Sequence, residues 1–316
     1  MNTGAVRTVL GDVPAGELGV TDAHDHLFFR SARFDPGQEL DDVDAAAAEL
    51  RGFAGLGGGT VVQWTPFGLG RGSAHLAGLS RATGVHVVAA TGMHQAVHYP
   101  PGVVGRALRD RPAGLAGLFV RELTEGLRPP GAAATPAVRA GMIKVAGSFH
   151  GLDAHARTVM TAAAEAHHAT GAPIGVHLEL GTAGPEVLEV LCDRLSVPAE
   201  RVILGHLNRF PEPRLHREAA ERGSFLAFDG PSRANHATDW RLVDALVALV
   251  EAGHEGQLLL GGDTTSAQAR AAAGDGTGIP NVLAKLRPRV ERELGKDVVE
   301  RMLVGNPARA FAVHWR

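Results

Sequence analysis

The chain has little of several residues on which particular classes of protein depend. Its 316 residues include one cysteine, Cys192, and one tyrosine, and aromatic residues make up 5% of the total. A single thiol excludes an intrachain disulfide and a thiolate metal cluster. The scarcity of aromatic rings leaves little surface for stacking nucleobases. The 34 acidic and 31 basic residues are spread without long blocks, so neither nucleic acid nor an anionic membrane is an expected partner.

Long apolar runs are missing as well. No stretch approaches membrane-spanning length, and residues 1–10 lack the basic and apolar regions of a secretory signal. We therefore expect a cytoplasmic protein. No long low-complexity segment or linker divides the chain, which predicts one domain over residues 1–316.

What the sequence does contain is a regular alternation of short apolar segments and helical segments. We predict a short N-terminal β-hairpin with arms at Val6 to Leu10 and Glu17 to His26, the second arm continuing into the first strand. The predicted strands lie near residues 17–26, 59–64, 85–91, 140–145, 173–178, 202–205, 225–228 and 257–260. Eight strands alternating with helices predict an α/β fold, a (β/α)8 TIM barrel. An open doubly wound sheet is the alternative, but its glycine-rich turn is missing after the first strand.

Two of the 16 histidines end the first predicted strand. Side chains two residues apart on a strand point to the same face, so His24 and His26 project together. Two adjacent imidazoles can bind one divalent metal ion. The pattern also occurs by chance, so the pair alone does not separate a metal site from a core or surface role.

Polar residues recur at the carboxyl ends of other predicted strands, where barrel enzymes build their sites. They are Lys144 on strand four, His177 on strand five, His206 on strand six and Asp263 after strand eight. Each alone can be a polar group satisfied within the core. A buried unpaired charge is costly, however, and the set compensates mutually only around cations.

Lys144 lies within the apolar segment Gly141 to Val145, so its amine is expected to be neutral, paired or chemically changed. One explanation is a salt bridge to Asp263. The other is carboxylation by CO2, which gives an anionic carbamate whose two oxygens can bridge two metals.

Together these segments resemble the phosphotriesterase-like branch of the amidohydrolase superfamily. The motifs that carry the resemblance span nearly the whole chain and are Thr8 to Gly11, Thr21 to His26, Gly141 to Val145, His177, Gly205-His206, Asp263 and Val304 to Arg309. The resemblance implies a distorted barrel with two divalent metal ions, usually zinc, and a homodimer. His24, His26 and Asp263 would bind the buried metal. His177 and His206 would bind the more exposed one, and carboxylated Lys144 would bridge the two.

Three positions depart from the family pattern. Asp25 stands where glutamate is frequent, and it is expected to point away from the metals. The segment Asn208-Arg209-Phe210 replaces Asp-Arg-Asn, which leaves a supporting carboxylate and the substrate preference open. His94 occupies the position after strand three where lactonases of the family carry tyrosine, and we assign it to substrate binding.

The predicted function is metal-dependent hydrolysis of a lactone or ester, with side activity on organophosphate triesters. Two cations sharing a hydroxide would bring its pKa towards neutrality, and Asp263 would take the proton and pass it to the leaving group. Arg233 and Arg270, in the loops after strands seven and eight, are candidates for binding an anionic substrate such as a sugar lactone or its phosphate. Both are equally well explained as solvated surface charges.

Several alternatives stay open at the level of sequence. A primary phosphotriesterase would use the same site. A mononuclear deaminase of the superfamily would not need Lys144, and a metal-free binding module would tolerate loss of the histidines. A pocket lined by Phe67, Phe149 or Trp240 would favour a long-acyl lactone instead.

Overall fold

The computed structural model describes residues 4–105, 114–128, 138–229, 236–273 and 276–316. Within these ranges, eight parallel strands form one sheet whose spatial order follows the sequence. The strands are β3 (Val20–Asp25), β4 (Gly58–Gln63), β5 (His86–Gly92), β6 (Met142–Ala146), β7 (Ile174–His177), β8 (Val202–Gly205), β9 (Phe225–Asp229) and β10 (Leu258–Gly261). The predicted eight-stranded barrel is confirmed.

The N-terminal hairpin is also confirmed, but its second arm differs from the prediction. Strand β1 (Ala5–Thr8) pairs antiparallel with β2 (Gly11–Pro14). The segment from Glu17 to His26 is therefore not the second arm, because β3 belongs to the barrel sheet. Thr8 fixes the tight turn: its hydroxyl accepts a hydrogen bond from the Leu10 N–H and donates one to the Gly11 carbonyl. Gly11 has φ of +129°, which side-chain-bearing residues rarely adopt.

Helices follow the strands and pack against them. They are α1 (Val43–Gly55), α2 (Ser73–Thr83), α3 (Gly114–Thr124), α4 (Ala154–Thr170), α5 (Gly184–Leu188), α6 (Pro213–Glu221), α7 (His236–Asp239), α8 (Leu242–Glu251), α9 (Arg287–Leu294), α10 (Lys296–Glu300) and α11 (Asn306–Phe311). Asp42 and Asp153 cap α1 and α4, since their carboxylates accept hydrogen bonds from backbone N–H groups of the first turn. Across the described segments, no helix is both long enough and apolar enough to cross a bilayer.

The barrel interior is filled by a small apolar cluster that includes Val62, Trp64 and Met142. Lys144 follows Met142 by two residues and so lies on the same inward-facing side of β6. Gly175, on the neighbouring strand, leaves room for the indole of Trp64, because a Cβ there would lie 2.9 Å from the ring. The prediction of one domain over residues 1–316 stays a prediction.

The sheet closes differently between its first and last strands. Among the described residues, no strand ladder joins β3 to β10. Instead, the N–H groups of Gly262 and Asp263 donate to the His24 carbonyl at 3.0 and 2.9 Å. The Thr264 N–H donates to Asp25 Oδ1 at 2.9 Å. Predicted site residues and their neighbours therefore form the seam between β3 and β10.

Candidate metal centre

The six predicted metal ligands lie at the end of the barrel where the parallel strands finish. His24 is in β3 with His26 just after it, Lys144 is in β6, His177 ends β7, His206 follows β8, and Asp263 follows β10. Because the carboxyl ends of parallel strands share one face of the barrel, these residues meet although they are far apart in sequence. Five of them form two ligand groups, and Lys144 is the sixth.

The first ligand group is His24, His26 and Asp263. The Nε2 atom of His24 lies 3.5 Å from Asp263 Oδ1, and that of His26 lies 3.4 Å from the same oxygen. All three residues are buried, and their ligand atoms lie within 4.8 Å of one another. Two imidazole nitrogens and one carboxylate oxygen are a donor set that suits zinc and other transition metals.

The second ligand group is His177 and His206. His177 Nδ1 and His206 Nε2 lie 2.7 Å apart, so the two nitrogens face one another. Burial lowers the pKa of both imidazoles, which favours the neutral form that binds metals. The His177 side chain is 15% exposed, compared with 1% for His24, so this group is nearer to solvent.

Lys144 is 2% exposed, and its amine has no hydrogen-bond or ion-pair partner in the part of the chain that the structure describes. The salt bridge to Asp263 considered from the sequence is not formed: Arg209 contacts Asp263 Oδ2 instead. Burial lowers the pKa of the Lys144 amine to about 7, against the attraction of Asp263 and Glu179. A large part of the amine is therefore uncharged at neutral pH, and the uncharged amine is the form that reacts with CO2.

Asp229, at the end of β9, was not predicted from the sequence. Its Oδ1 lies 2.8 Å from His24 Nδ1, and its Oδ2 contacts His206 Nδ1. These three groups are close enough to hold a metal themselves. We assign Asp229 to ring orientation, because the Nε2 atoms of both rings face the other ligands. The signal for Asp229 was its place at the end of an apolar strand, which is where the predicted ligands also lie.

The charge of Asp229 is stabilised by the two rings. Burial acts to raise the pKa of its carboxyl group, but His206 and His24 hold that pKa well below its usual range. A single carboxylate thus orients one ring from each ligand group. The remaining ring in the first group has its own partner, since His26 Nδ1 lies 2.7 Å from the Thr65 hydroxyl.

Two of the ligands have unusual backbone conformations. His206 has φ of +66° and Asp263 has φ of +51°, in the left-handed region that residues with a side chain seldom adopt. Such conformations cost about 1–3 kcal/mol and persist where the surroundings impose them, often at functional sites. They occur here just after β8 and β10, where the chain leaves each strand.

His94 lies beside the more exposed group. Its ring centroid is 4.5 Å from that of His177 and 4.2 Å from that of His98. The Gln95 N–H donates to His94 Nδ1 at 2.7 Å. Burial lowers the pKa of His94 well below its usual value, so the neutral ring carries its proton on Nε2. The ring can therefore donate a hydrogen bond next to His177.

The structure describes one of the two arginines that we assigned to substrate binding. Arg233 lies outside the described residues. Arg270 is 3% exposed and donates to the carbonyls of Asp42, at 3.1 Å, and of Leu27. These bonds hold the loop after β10 against the segment after β3 and give no support to a substrate contact. Both substrate-binding roles stay predictions.

Other residues near the ligands also differ from expectation. Asn208 donates to Asp239 Oδ1 at 2.8 Å and accepts from the Asp229 N–H at 3.1 Å, so it fixes the β9 end. Phe67 is buried in the main apolar core. Phe149 and Trp240 are exposed.

Comparison with known proteins decides the family. Residues 4–311 match the family model described as the phosphotriesterase family. The chain belongs to this family. It is 30% identical over 267 residues to a phospho-furanose lactonase of Mycoplasmopsis synoviae (strain 53), which covers 80% of this chain and 74% of that protein.

Solved structures of the phosphotriesterase family agree with the match. A lactonase from Listeria monocytogenes superposes with a TM-score of 0.89 at 29% identity, covering 98% of this chain and 99% of that one. A variant of an organophosphorus hydrolase from Deinococcus radiodurans gives a TM-score of 0.83 at 29% identity, covering 97% of both chains. The predicted family is confirmed, and the chain is a metal-dependent hydrolase of that family.

Proposed function

We propose that the protein is a lactonase with two zinc ions bridged by carboxylated Lys144. The observation that carries the proposal is the convergence of two ligand groups on a buried, unpartnered lysine. The first group would hold the buried ion and the second the more exposed one. When bound, the ions would bring the pKa of a water molecule towards neutrality and polarise the substrate's carbonyl oxygen.

The carboxylation of Lys144 balances chemically without any further reagent. The uncharged amine attacks the carbon of CO2, an N–C bond forms, and one proton is released to solvent. The product carries a negative charge where the reacting amine carried none. That added negative charge supports the proposal, because two cations in a buried site need more anionic ligand than Asp263 supplies.

Residues of the chain have separate roles in the proposed hydrolysis. Although burial acts to raise the pKa of Asp263, Arg209 and the histidines hold that pKa well below its usual range, so the carboxylate is charged. In the proposed reaction it would take the proton of the attacking water. His94 would donate its Nε2–H to a substrate oxygen beside His177. Asp263 would return the proton to the leaving alkoxide as the ring ester opens.

A polar lactone, such as a sugar lactone or its phosphate, is the substrate class we propose. His94 and Glu179 lie beside the exposed group and Gln95 contacts Glu179, so polar side chains are present there. Arg209 contacts Asp263 of the first group. The resemblance to a phospho-furanose lactonase points the same way. Burial of Phe67 removes one of the apolar residues that a long-acyl pocket would use.

The direct test is metal analysis followed by a substrate screen. Protein purified without chelator should contain two equivalents of metal and should open sugar lactones and their phosphates in a pH-indicator assay. The same screen includes acyl-homoserine lactones and an aryl phosphotriester. A folded protein without metal, inactive after addition of zinc, manganese or cobalt, would refute the proposal.

Lys144→Ala tests the bridging role. It should lose metal and activity, with partial recovery in formate, because a short carboxylate can occupy the place of the carbamate. The matched control is Lys285→Ala, which removes an exposed lysine and should change neither property. A mononuclear deaminase, the alternative mechanism, would keep one metal and its activity in Lys144→Ala.

A primary phosphotriesterase is the second candidate, supported by the structural match to an organophosphorus hydrolase. Faster turnover of the aryl phosphotriester than of every lactone would establish it. The homodimer expected from the sequence is part of the proposal as well. Light scattering at micromolar concentration should give twice the chain mass of 32.9 kDa, and a monomer mass would exclude the dimer.

A further inference from the structure

We propose that Glu179 is a positioning residue for His177, and that Gln95 holds Glu179 in place for this task. Glu179 would thereby set the affinity for the more exposed metal ion while leaving the buried ion unaffected. The inference rests on the proposed two-metal site. No motif used in the sequence analysis contains Glu179 or Gln95.

The contact geometry fixes which nitrogen of His177 carries the proton. Glu179 Oε2 lies 3.0 Å from His177 Nε2, on the side of the ring away from His206. The same oxygen accepts a hydrogen bond from Gln95 Nε2 at 2.9 Å. A carboxylate that accepts from both neighbours requires the proton of the neutral ring to be on Nε2. The lone pair is then on Nδ1, which faces His206 Nε2 at 2.7 Å.

Gln95 ties three loops of the barrel together. It lies after β5, and its Nε2 donates to Glu179, after β7, and to the carbonyl of Gly147, after β6, at 2.8 Å. The Gln95 backbone N–H also holds the ring of His94. The position of the Glu179 carboxylate therefore depends on neighbouring loops as well as its own.

His177 differs from the other three histidine ligands in this support. His24 and His206 are oriented by Asp229, and His26 by Thr65, and both supporting residues are buried. Glu179 is half-buried and belongs to a loop. His177 can therefore lose its orientation when the loop changes, while the other three histidines keep theirs. Substitution of a residue that hydrogen-bonds to a metal ligand typically lowers the metal affinity by about 10–100-fold.

Zinc titration of metal-stripped protein by calorimetry tests the inference. Wild type should show two binding events. Glu179→Ala should weaken one of them by about 10–100-fold and leave the other unchanged. Glu179→Gln keeps an acceptor oxygen, so its affinity in this event should lie between those of wild type and Glu179→Ala. Gln95→Ala should weaken the same event as Glu179→Ala, but by less, because the carboxylate remains.

Two controls accompany the titration. Glu189→Ala removes an exposed carboxylate paired with Arg194 and should leave both binding events unchanged. Nitrogen-15 NMR of the metal-free proteins at pH 8 reports the His177 tautomer directly. Wild type should carry the proton on Nε2, and Glu179→Ala should show a mixture of both tautomers.

The outcomes separate this inference from the proposed function. Two unchanged affinities in Glu179→Ala, or a wild-type His177 protonated on Nδ1, would overturn the role of Glu179. Wild type that takes up fewer than two zinc ions would overturn the two-metal proposal instead. In that case the NMR measurement on metal-free protein still decides whether Glu179 orients His177.

Discussion

Asp229, which we assign to ring orientation, contacts histidines of both ligand groups in the candidate metal centre. Its two oxygens contact Nδ1 of His24 and Nδ1 of His206, one ring from each ligand group. Both rings need an acceptor at Nδ1 if their Nε2 atoms are to face a metal. Asp229 therefore couples the two groups, whereas Glu179 acts on one.

This difference predicts the behaviour of Asp229→Asn. The amide is uncharged, keeps one acceptor oxygen and turns its NH2 group to the second ring, so one imidazole loses its acceptor and the other has only a weaker one. We expect affinity for both metals to fall by about 10–100-fold, with a similar loss in kcat. Calorimetry and steady-state kinetics measure the two effects. Asp193→Asn, at an exposed carboxylate, is the matched control, and a variant that loses only one metal would contradict the coupling.

A second prediction concerns Asp22 and Asp25, which are fully buried. Each Oδ1 accepts backbone N–H bonds, and the two Oδ2 atoms have no other partner among the described residues. Burial, together with the neighbouring Asp25, raises the pKa of Asp22 well above its usual value, which favours a protonated Asp22 beside Asp25. We expect the two side chains to share that proton as one carboxyl–carboxylate unit.

Asp22→Asn should preserve this unit, because an amide can donate to Asp25 as the protonated carboxyl does. We expect its free energy of unfolding to stay within about 1 kcal/mol of wild type. Asp22→Ala leaves the Asp25 charge and backbone N–H groups without partners and should cost roughly 1–3 kcal/mol or more. Urea unfolding of the metal-free proteins measures both. Equal losses of unfolding free energy in Asp22→Asn and Asp22→Ala would contradict the role of the shared proton.

The sequence predicted the positions of single residues where the pattern of apolar strands determines them. The proximity of His24 and His26 was predictable because a strand alternates its faces, and that of the other candidate ligands because each lies in or just after an apolar strand. Asp229 follows the same rule and was missed only because no motif marked it. Glu179 and Gln95 were not predictable, since their roles arise from contacts between loops 84 residues apart.

At the scale of elements, the loop after β5 places two stacked histidines beside the metal centre. His98 stacks on His94, and its Nδ1 lies 2.9 Å from the Ser31 hydroxyl. Burial lowers the pKa of His98 to about 4. The loop therefore packs with the ring neutral.

Stability should consequently fall as the pH falls from 6.5 to 4. In this range the unfolded chain binds a proton at His98 that the folded chain does not, so acid favours unfolding. His98→Phe keeps the stacked ring but does not titrate, and should show a shallower loss of unfolding free energy over this range. Ser31→Ala removes the hydrogen bond and keeps the imidazole, so its pH slope should match wild type. Parallel curves for wild type and His98→Phe would contradict the argument.

The boundaries of elements were predicted well where strands are buried and less well where they are not. Apolar runs bounded by glycine and proline identified all eight barrel strands. The N-terminal hairpin was misjudged because Thr8 and Gly11 close a turn that hydrophobic pattern does not reveal. Arg270 was assigned to substrate from its loop, but its partners are carbonyls more than 200 residues away in sequence.

At the scale of the whole molecule, the candidate metal centre lies across the seam between β3 and β10. The first ligand group takes two histidines from the β3 side and Asp263 from the β10 side. The second takes His177 and His206 from strands that a regular ladder already joins. An ion in the first group would therefore connect strands that lack a ladder of their own, and an ion in the second would not.

Hydrogen exchange should reveal this asymmetry. Removing zinc from the wild-type protein should lower the protection of the Gly262, Asp263 and Thr264 N–H groups, which cross the seam, more than that of amides in the β7–β8 ladder. The free energy of the opening reaction that exposes these amides can fall by about 4 kcal/mol if zinc was present at about 1,000 times its Kd. Glu179→Ala is the internal control: it should give up the exposed ion while its seam amides stay protected. Equal loss of protection in both regions, or none at the seam, would mean that the barrel closes without help from the metal.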